Sequence, residues 1–389
     1  MYRRLPLIFF LLIFLALASE PFVFAQIDYP GSTLRAVLNI IILSLLFFEK
    51  PKFKFSELII YSILALIILF ELVVQRSTIN NILSNYVVLL ISFSLFRILK
   101  EDKFKFKLFF KMWLLFSFAL AVGAIISFLV HQLSTLDADI LNLESMDLFN
   151  PKYGYRESIF GFTIEKNFDF IKVVRVCSFF KEPQYAGLFF AVNMLLAINC
   201  GKLIPRKYLF VNLLAGFLTF SYTFYVVFLV ALFFLIKQYM VRYILLIMFL
   251  FIIFLIFQID ALENIFEDFV TSSSYVDRLR RITNGIQVVV ENLSITNFLF
   301  GNGINTFGEF NKDVLGRTIS SGFLYLIYES GFFISYFILS LTTLIANKDR
   351  KLLLICIIYL LVFPWYKYYI TWYLIIFCGL SYNKIAIKK

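Results

Sequence analysis

The sequence predicts an all-α polytopic membrane protein with about 12 transmembrane helices, since a run of roughly 20 apolar residues crosses the hydrocarbon layer as a helix. Three observations predict this. Of 389 residues, 61% are hydrophobic and 16% charged, with a mean hydropathy of +0.87, whereas a soluble domain carries about 25% charged residues. Apolar runs of spanning length recur along the chain. The formal charge of +11 gathers in alternate linkers instead of spreading evenly. An apolar surplus that includes 51 Phe cannot be enclosed in one core. The solvent is therefore lipid, which excludes a soluble enzyme and a disordered chain. A disulfide scaffold is excluded as well, because Cys177, Cys200, Cys356 and Cys378 lie far apart without a CxxC spacing.

In chain order the expected spans are 5–25, 33–48, 57–74, 81–99, 108–131, 183–200, 208–221, 223–236, 243–259, 319–345, 352–364 and 368–381. The first also reads as a signal peptide, with Arg3-Arg4, an apolar run and Val23-Phe24-Ala25 resembling a cleavage site. Its retention is the preferred reading, because the later spans already commit the chain to the membrane. The pair 208–236 is one apolar stretch broken at Thr219–Thr223, and a single tilted helix there would invert the topology of everything that follows.

Charge decides between those options. The linkers KPKFKFS (50–56), KEDKFKFK (100–107), GKLIPRK (201–207), KQYMVR (237–242) and NKDRK (347–351) are basic, as are both termini. With 12 spans all of these fall on one side, which holds 22 basic and 5 acidic residues and is expected to be cytoplasmic. Two long loops fall on the other side: 132–178 with 5 basic and 7 acidic residues, and 260–318 with 5 basic and 8 acidic. The chain reads as one transmembrane domain, 1–389, carrying these two loops. The excess of basic charge is then topological and calls for no nucleic acid.

Function is sought where the chain departs from plain spanning. The first loop carries Asp137, Asp139, Glu144 and Asp147, then Tyr153 and Tyr155, and runs through Arg175 to Glu182-Pro183-Gln184 at a helix start. Pro suits the first helical turn and an acid complements the positive end of the helix. Glu182 is thus either a cap or a functional carboxylate near Arg175. In the second loop, the apolar residues of Tyr275–Asn292 follow a helical period. They describe an interfacial helix that either anchors the loop or holds Arg278, with Arg281 close by, at headgroup depth. Gly301 and Gly303 permit a tight turn or a close backbone approach, with amides available to turn toward an anion. His131, the single histidine, ends a helix and offers little material for a triad. No metal-ligand cluster and no cofactor motif is present. Glu71 and Arg35 are expected to snorkel outward. Glu329, midway along an expected span, is a functional candidate because an ionisable group there is costly.

These residues resemble a known family. Arg175-x-x-Ser178-Phe179-Phe180-Lys181-Glu182-Pro183-Gln184 resembles the R-x-x-G-x-F-x-E-P-(N/S) element of the O-antigen polymerases (Wzy) and their ligase relatives. Thr219-Phe220-Ser221 resembles a T-x-S-R turn. Ser274 to Arg278, followed by Leu299-Phe300-Gly301-Asn302-Gly303, resembles an S-x-x-x-R … L-F-G-x-G loop. Phe323 to Gly331 resembles the helix Y-L-x-x-L-x-E-x-G that follows it. The likeness covers roughly residues 100–345. There are three departures. Tyr222 stands where an Arg is usual, Ser178 where Gly is common, and Ser320-Ser321 where the ligase branch has a His. The last favours a polymerase over a lipid A-core ligase.

The resemblance implies a GT-C-like glycosyltransferase in the bacterial inner membrane, with both termini cytoplasmic and the two loops periplasmic. It would transfer a growing glycan from undecaprenyl pyrophosphate to the non-reducing end of an incoming lipid-linked repeat, without a metal. Arg175, Arg278 and Arg281 would bind the pyrophosphate, Glu182 would be the base with Glu329 second, and Gly301, Gly303, Ser320 and Ser321 would belong to the loops around the site. The implied partners are the undecaprenyl-pyrophosphate-linked oligosaccharide, the bilayer and a chain-length regulator. A ligase and a flippase or other transporter are the competing readings.

Overall fold

Lipid offers no hydrogen bonds, so a chain this apolar must satisfy its backbone within helices. The computed structural model describes residues 5–18, 31–49, 54–73, 86–133, 154–158, 161–168, 171–180, 182–199, 206–221, 224–225, 227–229, 286–287, 294–303, 306–307, 322–346, 350–362 and 364–386. These are mostly helical. They include α1 (Leu5–Leu17), α2 (Gly31–Phe48), α3 (Phe55–Val73), α4 (Val87–Glu101) and α5 (Lys103–Leu133). Beyond the first loop come α6 (Pro183–Asn199), α7 (Arg206–Leu218), α8 (Ile295–Phe300), α9 (Gly322–Ile345), α10 (Arg350–Val362) and α11 (Tyr369–Ala386). Among the described residues three helices are long and apolar enough to cross a membrane: Phe55–Val73, Lys103–His131 and Gly322–Ile345. The others that match expected spans are shorter. The expected span 243–259 and most of 223–236 lie outside the described residues, as do Arg278, Arg281, Ser320 and Ser321.

Two units make up the chain. Met1–Phe228, Phe337–Ile357 and Trp365–Lys389 form the first, and Leu229–Tyr336 with Ile358–Pro364 the second. In the first, aromatic side chains fill the space between α1, α5, α6 and α11. Phe9 stacks on Phe109 at 4.7 Å, and Phe377 lies 5.1 Å from Phe109 and 5.5 Å from Trp113. Trp113 donates through Nε1 to Asn193 at 2.9 Å, and the Tyr369 hydroxyl donates to Asn39 at 2.6 Å. These two bonds satisfy four of the buried polar groups of this core, as apolar surroundings demand.

Four findings correct or sharpen the sequence reading. First, the chain is not all-α: loop 132–178 carries an antiparallel sheet, β1 (Gly154–Ser158), β2 (Gly161–Phe168) and β3 (Ile171–Ser178), in the order β1-β2-β3. The cause is local. Phe162 and Ile164 on β2 and Val174 and Val176 on β3 are all buried, and because Val176 pairs with Thr163 while Ile164 pairs with Arg175, the apolar residues occupy both faces of the sheet. The Thr163 side meets α5, where His131 Nδ1 lies 2.6 Å from Thr163 Oγ1. Second, Glu71 is buried and accepts a hydrogen bond from the Tyr86 hydroxyl at 2.8 Å, where an outward-snorkelling side chain was expected. The aromatic donor supplies in the interior what water would supply outside.

Third, the basic ends of α4 and α5 are partly internal. Arg97 is buried against Glu57, Nε to Oε2 at 2.7 Å, and Lys105 pairs with Glu49. Fourth, α7 stops at Leu218 and the chain reverses. Phe220 adopts a left-handed conformation (φ 43°), and the Ser221 carbonyl accepts from Tyr225 N at 3.2 Å to start a new helical turn. Phe224 then folds back on α7 so closely that a Cβ on Gly216 would lie 2.0 Å from its ring. The break falls where the expected spans 208–221 and 223–236 meet, and most of the second lies outside the described residues.

Candidate functional site

β3 leads directly into the first family-like element. Arg175 pairs with Ile164 in the sheet, and the register slips by one residue between Phe162 and Thr163, opposite Cys177. Ser178 then takes φ 53°, in the left-handed region. A side chain is tolerated there because its Oγ donates to the Leu120 carbonyl at 3.3 Å. Glycine would adopt that conformation without strain. Gly161 faces the bulge at φ 138°, where a Cβ would lie 2.8 Å from the Ser178 backbone.

The strand and turn deliver Glu182 to the start of α6. Its carbonyl accepts from Tyr185 N at 3.2 Å and Ala186 N at 3.4 Å, which makes it the cap residue ahead of Pro183. Its carboxylate accepts from the Gln184 side-chain amide. Glu182 is thus a cap whose side chain is held at the head of the helix, so both of its expected roles are compatible with the geometry. Arg175 Nε donates to the carbonyl of Thr219 at 3.4 Å. Arg175 and Glu182 act in opposite senses on Cys177. Burial pushes that thiol well above its usual range, with Arg175 opposing the shift and Glu182 adding to it. Gly187 on α6 meets Ser221, whose Cβ would stand 2.9 Å from one placed on Gly187. The R…E-P-Q element and the T-F-S turn therefore form one structure.

The second unit holds the other two family-like elements, and they too form one structure. α9 is interrupted at Gly331 (φ 65°, ψ −177°). The break releases carbonyls that the turn after α8 uses: Asn302 N donates to Tyr328 O at 2.9 Å and Gly303 N to Glu329 O at 3.1 Å. Asn302 Nδ2 also donates to Tyr328 O at 3.2 Å. The backbones are in contact, since a Cβ on Gly301 would lie 2.1 Å from Glu329 O and one on Gly331 would lie 2.3 Å from Gly301 N. Of the two expectations for these glycines, close backbone approach is the correct one. The amides of Gly301, Asn302 and Gly303 are committed to Asn297, Tyr328 and Glu329 carbonyls, so they do not turn toward an anion. Glu329 itself is buried beside the break.

The sequence reading did not foresee Gln184, Asn302 and Tyr328 as supporting residues, nor the break at Gly331. A glycine inside an apolar helical run was the available signal for that break. Among the described residues no group of three His, Cys, Asp or Glu side chains could hold a metal ion. Compared with models of known families, with curated proteins and with solved structures, the chain matches none.

Proposed function

We propose that this protein is a membrane-embedded glycan polymerase of the O-antigen polymerase type, acting on undecaprenyl-pyrophosphate-linked repeats at the external face of a bacterial inner membrane. One observation carries the reading: four motifs that the sequence offers separately condense into two interlocked pairs. Arg175 joins the Thr219–Ser221 turn across 44 residues, and the Gly301–Gly303 turn joins the Glu329–Gly331 break. Arbitrary matches to degenerate motifs have no reason to pair in this way.

The chemistry follows from the residues. Holding Nε of Arg175 against the Thr219 carbonyl fixes the plane of the guanidinium, which suits bidentate, charge-assisted contact with phosphate oxygens. By the resemblance alone, Arg278 and Arg281 would also bind the leaving pyrophosphate. The acceptor hydroxyl attacks the anomeric carbon. The new glycosidic bond forms as the bond to the pyrophosphate oxygen breaks, and the hydroxyl proton passes to a carboxylate. Glu182, oriented by Gln184, is the assigned base, with Glu329 second.

The test is reconstitution of the purified protein with a lipid-pyrophosphate-linked repeat. A ladder of multiple repeats is the expected product, and Arg175→Ala should collapse it to single repeats at equal protein level. A normal ladder from Arg175→Ala removes the clamp, and no elongation of a verified substrate by the unsubstituted protein removes the polymerase reading. Transfer of finished polymer to lipid A-core would assign the ligase reaction instead.

A further inference from the structure

The turn that locks onto α9 also exposes an aromatic surface, and this surface belongs to a loop expected to stand in water. Ile295 is 83% exposed, and Phe298 and Phe300 are also exposed, as are Phe332, Phe333 and Tyr336 on α9. The two groups are continuous. Phe298 stacks on Phe332 at 6.1 Å, Phe300 lies 5.6 Å from Phe333, and Phe332 stacks on Tyr336 at 6.5 Å. An exposed apolar patch of this kind marks a surface that something covers.

From these contacts we infer that Ile295–Gly303 is a re-entrant segment that dips into the bilayer beside α9, and that lipid acyl chains cover its aromatic face. Position along α9 is the first argument. Past the break, Phe332–Ile345 covers roughly 21 Å at ~1.5 Å per residue, about 9 Å short of the ~30 Å hydrocarbon layer. In a helix that crosses the layer, the break therefore lies inside it, and so does the turn in backbone contact with the break.

Backbone bookkeeping is the second argument. Irregular chain at membrane depth is tolerated only where its polar groups are met by protein. Here Gly301 N goes to Asn297 O, Asn302 N to Tyr328 O and Gly303 N to Glu329 O. The Ser294 side chain caps α8 through Asn297 N, and Asn297 and Asn302 pair through their side chains. Composition is the third. From Asn292 to Gly308 the chain carries no charged residue, within a loop that holds 5 basic and 8 acidic ones. The inner side of the turn is equally apolar, with Phe307 buried against Tyr325 and Tyr328 at 4.8 and 5.1 Å. The occupant is lipid because the patch continues the exposed side of a helix long and apolar enough to cross a membrane. This inference stands apart from the proposed reaction and holds for a polymerase or a transporter alike.

Nitroxide labelling tests it. Ile295→Cys and Phe298→Cys in the full chain are labelled and reconstituted in vesicles of phosphatidylethanolamine and phosphatidylglycerol. Depth is calibrated with nitroxide phospholipids, and the unsubstituted chain gives the background from native thiols. Tyr336→Cys serves as the reference within α9, and Phe300→Cys replaces either variant that does not elute as a monodisperse species. Collisions with oxygen should exceed those with a water-soluble nickel chelate at both positions, at a depth of about 5–10 Å. Nickel collisions in excess at both positions place the segment in water and overturn the inference. Shielding from both reagents means that protein covers the patch, and overturns it as well.

Discussion

Replacing Gly301 with alanine should detach the turn from the helix break, and the cost can be worked from its geometry. Gly301 sits at φ 82° and ψ 176°, a region essentially restricted to glycine that costs other residues about 1–3 kcal/mol. The added Cβ would start 2.1 Å from Glu329 O, so the turn must withdraw by roughly an ångström to reach ordinary contact. That withdrawal breaks the bonds from Asn302 N to Tyr328 O and from Gly303 N to Glu329 O, 2.9 and 3.1 Å long. Each buried group left unmatched costs about 1–3 kcal/mol. Even the low ends of these ranges sum to about 3 kcal/mol, and ~1.4 kcal/mol is a factor of ten. Hydrogen–deuterium exchange read by mass spectrometry on peptides covering 299–303 and 326–331 should therefore show protection falling at least about 100-fold. Gly331→Ala strikes the same contact from the opposite side, 2.3 Å from Gly301 N. Once the contact is lost the second substitution removes little more, so the double variant should match the worse single one. A loss below about tenfold in Gly301→Ala, or additive effects in the double variant, refutes the interlock.

Three further outcomes are expected in the first unit. Ser178→Gly relieves about 1–2 kcal/mol of left-handed strain and forfeits an Oγ bond to Leu120 O worth about 1 kcal/mol. It should therefore leave the thermal midpoint in detergent near that of the unsubstituted protein, while Ser178→Ala, which keeps the strain and loses the bond, lowers it. Cys177 is held protonated by burial, so thiol reagents at pH 8 should modify it only after unfolding. The sign of its pH dependence follows from linkage: a thiol raised in the folded state contributes fully below the unfolded thiol range and loses that contribution as pH climbs beyond about 9. Unfolding curves recorded from pH 7 to 10 on the protein and on Cys177→Ala should diverge only at the alkaline end. Gly216→Ala forces a methyl into the Phe224 ring, 2.0 Å away, at an overpacking cost of about 1–3 kcal/mol. Combined with Phe224→Ala it should be no worse than Phe224→Ala alone, as judged by thermal unfolding.

What the sequence made legible is what lipid dictates. Apolar runs become helices because nothing else satisfies a backbone in hydrocarbon, and Pro183 after an acid marks a helix start; both hold here. The sheet in 132–178 was harder to see. Its strands are short, and the alternation of Phe162, Ile164, Val174 and Val176 is interrupted by a bulge and surrounded by acidic, loop-like sequence. The order of the four motifs could be read, but their pairing could not. A bond from Arg175 to the carbonyl of Thr219, or from Gly303 to that of Glu329, involves backbone atoms that carry no residue-type signal.

Two cations of the side expected to be basic are withdrawn from water. Arg97 and Lys105 are buried against Glu57 and Glu49. Taking two charges out of water is costly and is offset only when they are withdrawn as matched pairs. These two pairs take equal numbers of each sign from the residues expected on the basic side. The other described acids of that side are also engaged: Glu101 lies 3.9 Å from Lys54, and Asp102 accepts from Phe104 N at 2.8 Å and Lys105 N at 3.1 Å. The described acids on the basic side are thus structural, and exposed charge there is carried by residues such as Lys54, whose side chain is 72% exposed. A count of charges by side is insensitive to burial of this paired kind, because withdrawing a cation together with an acid costs less than withdrawing it alone.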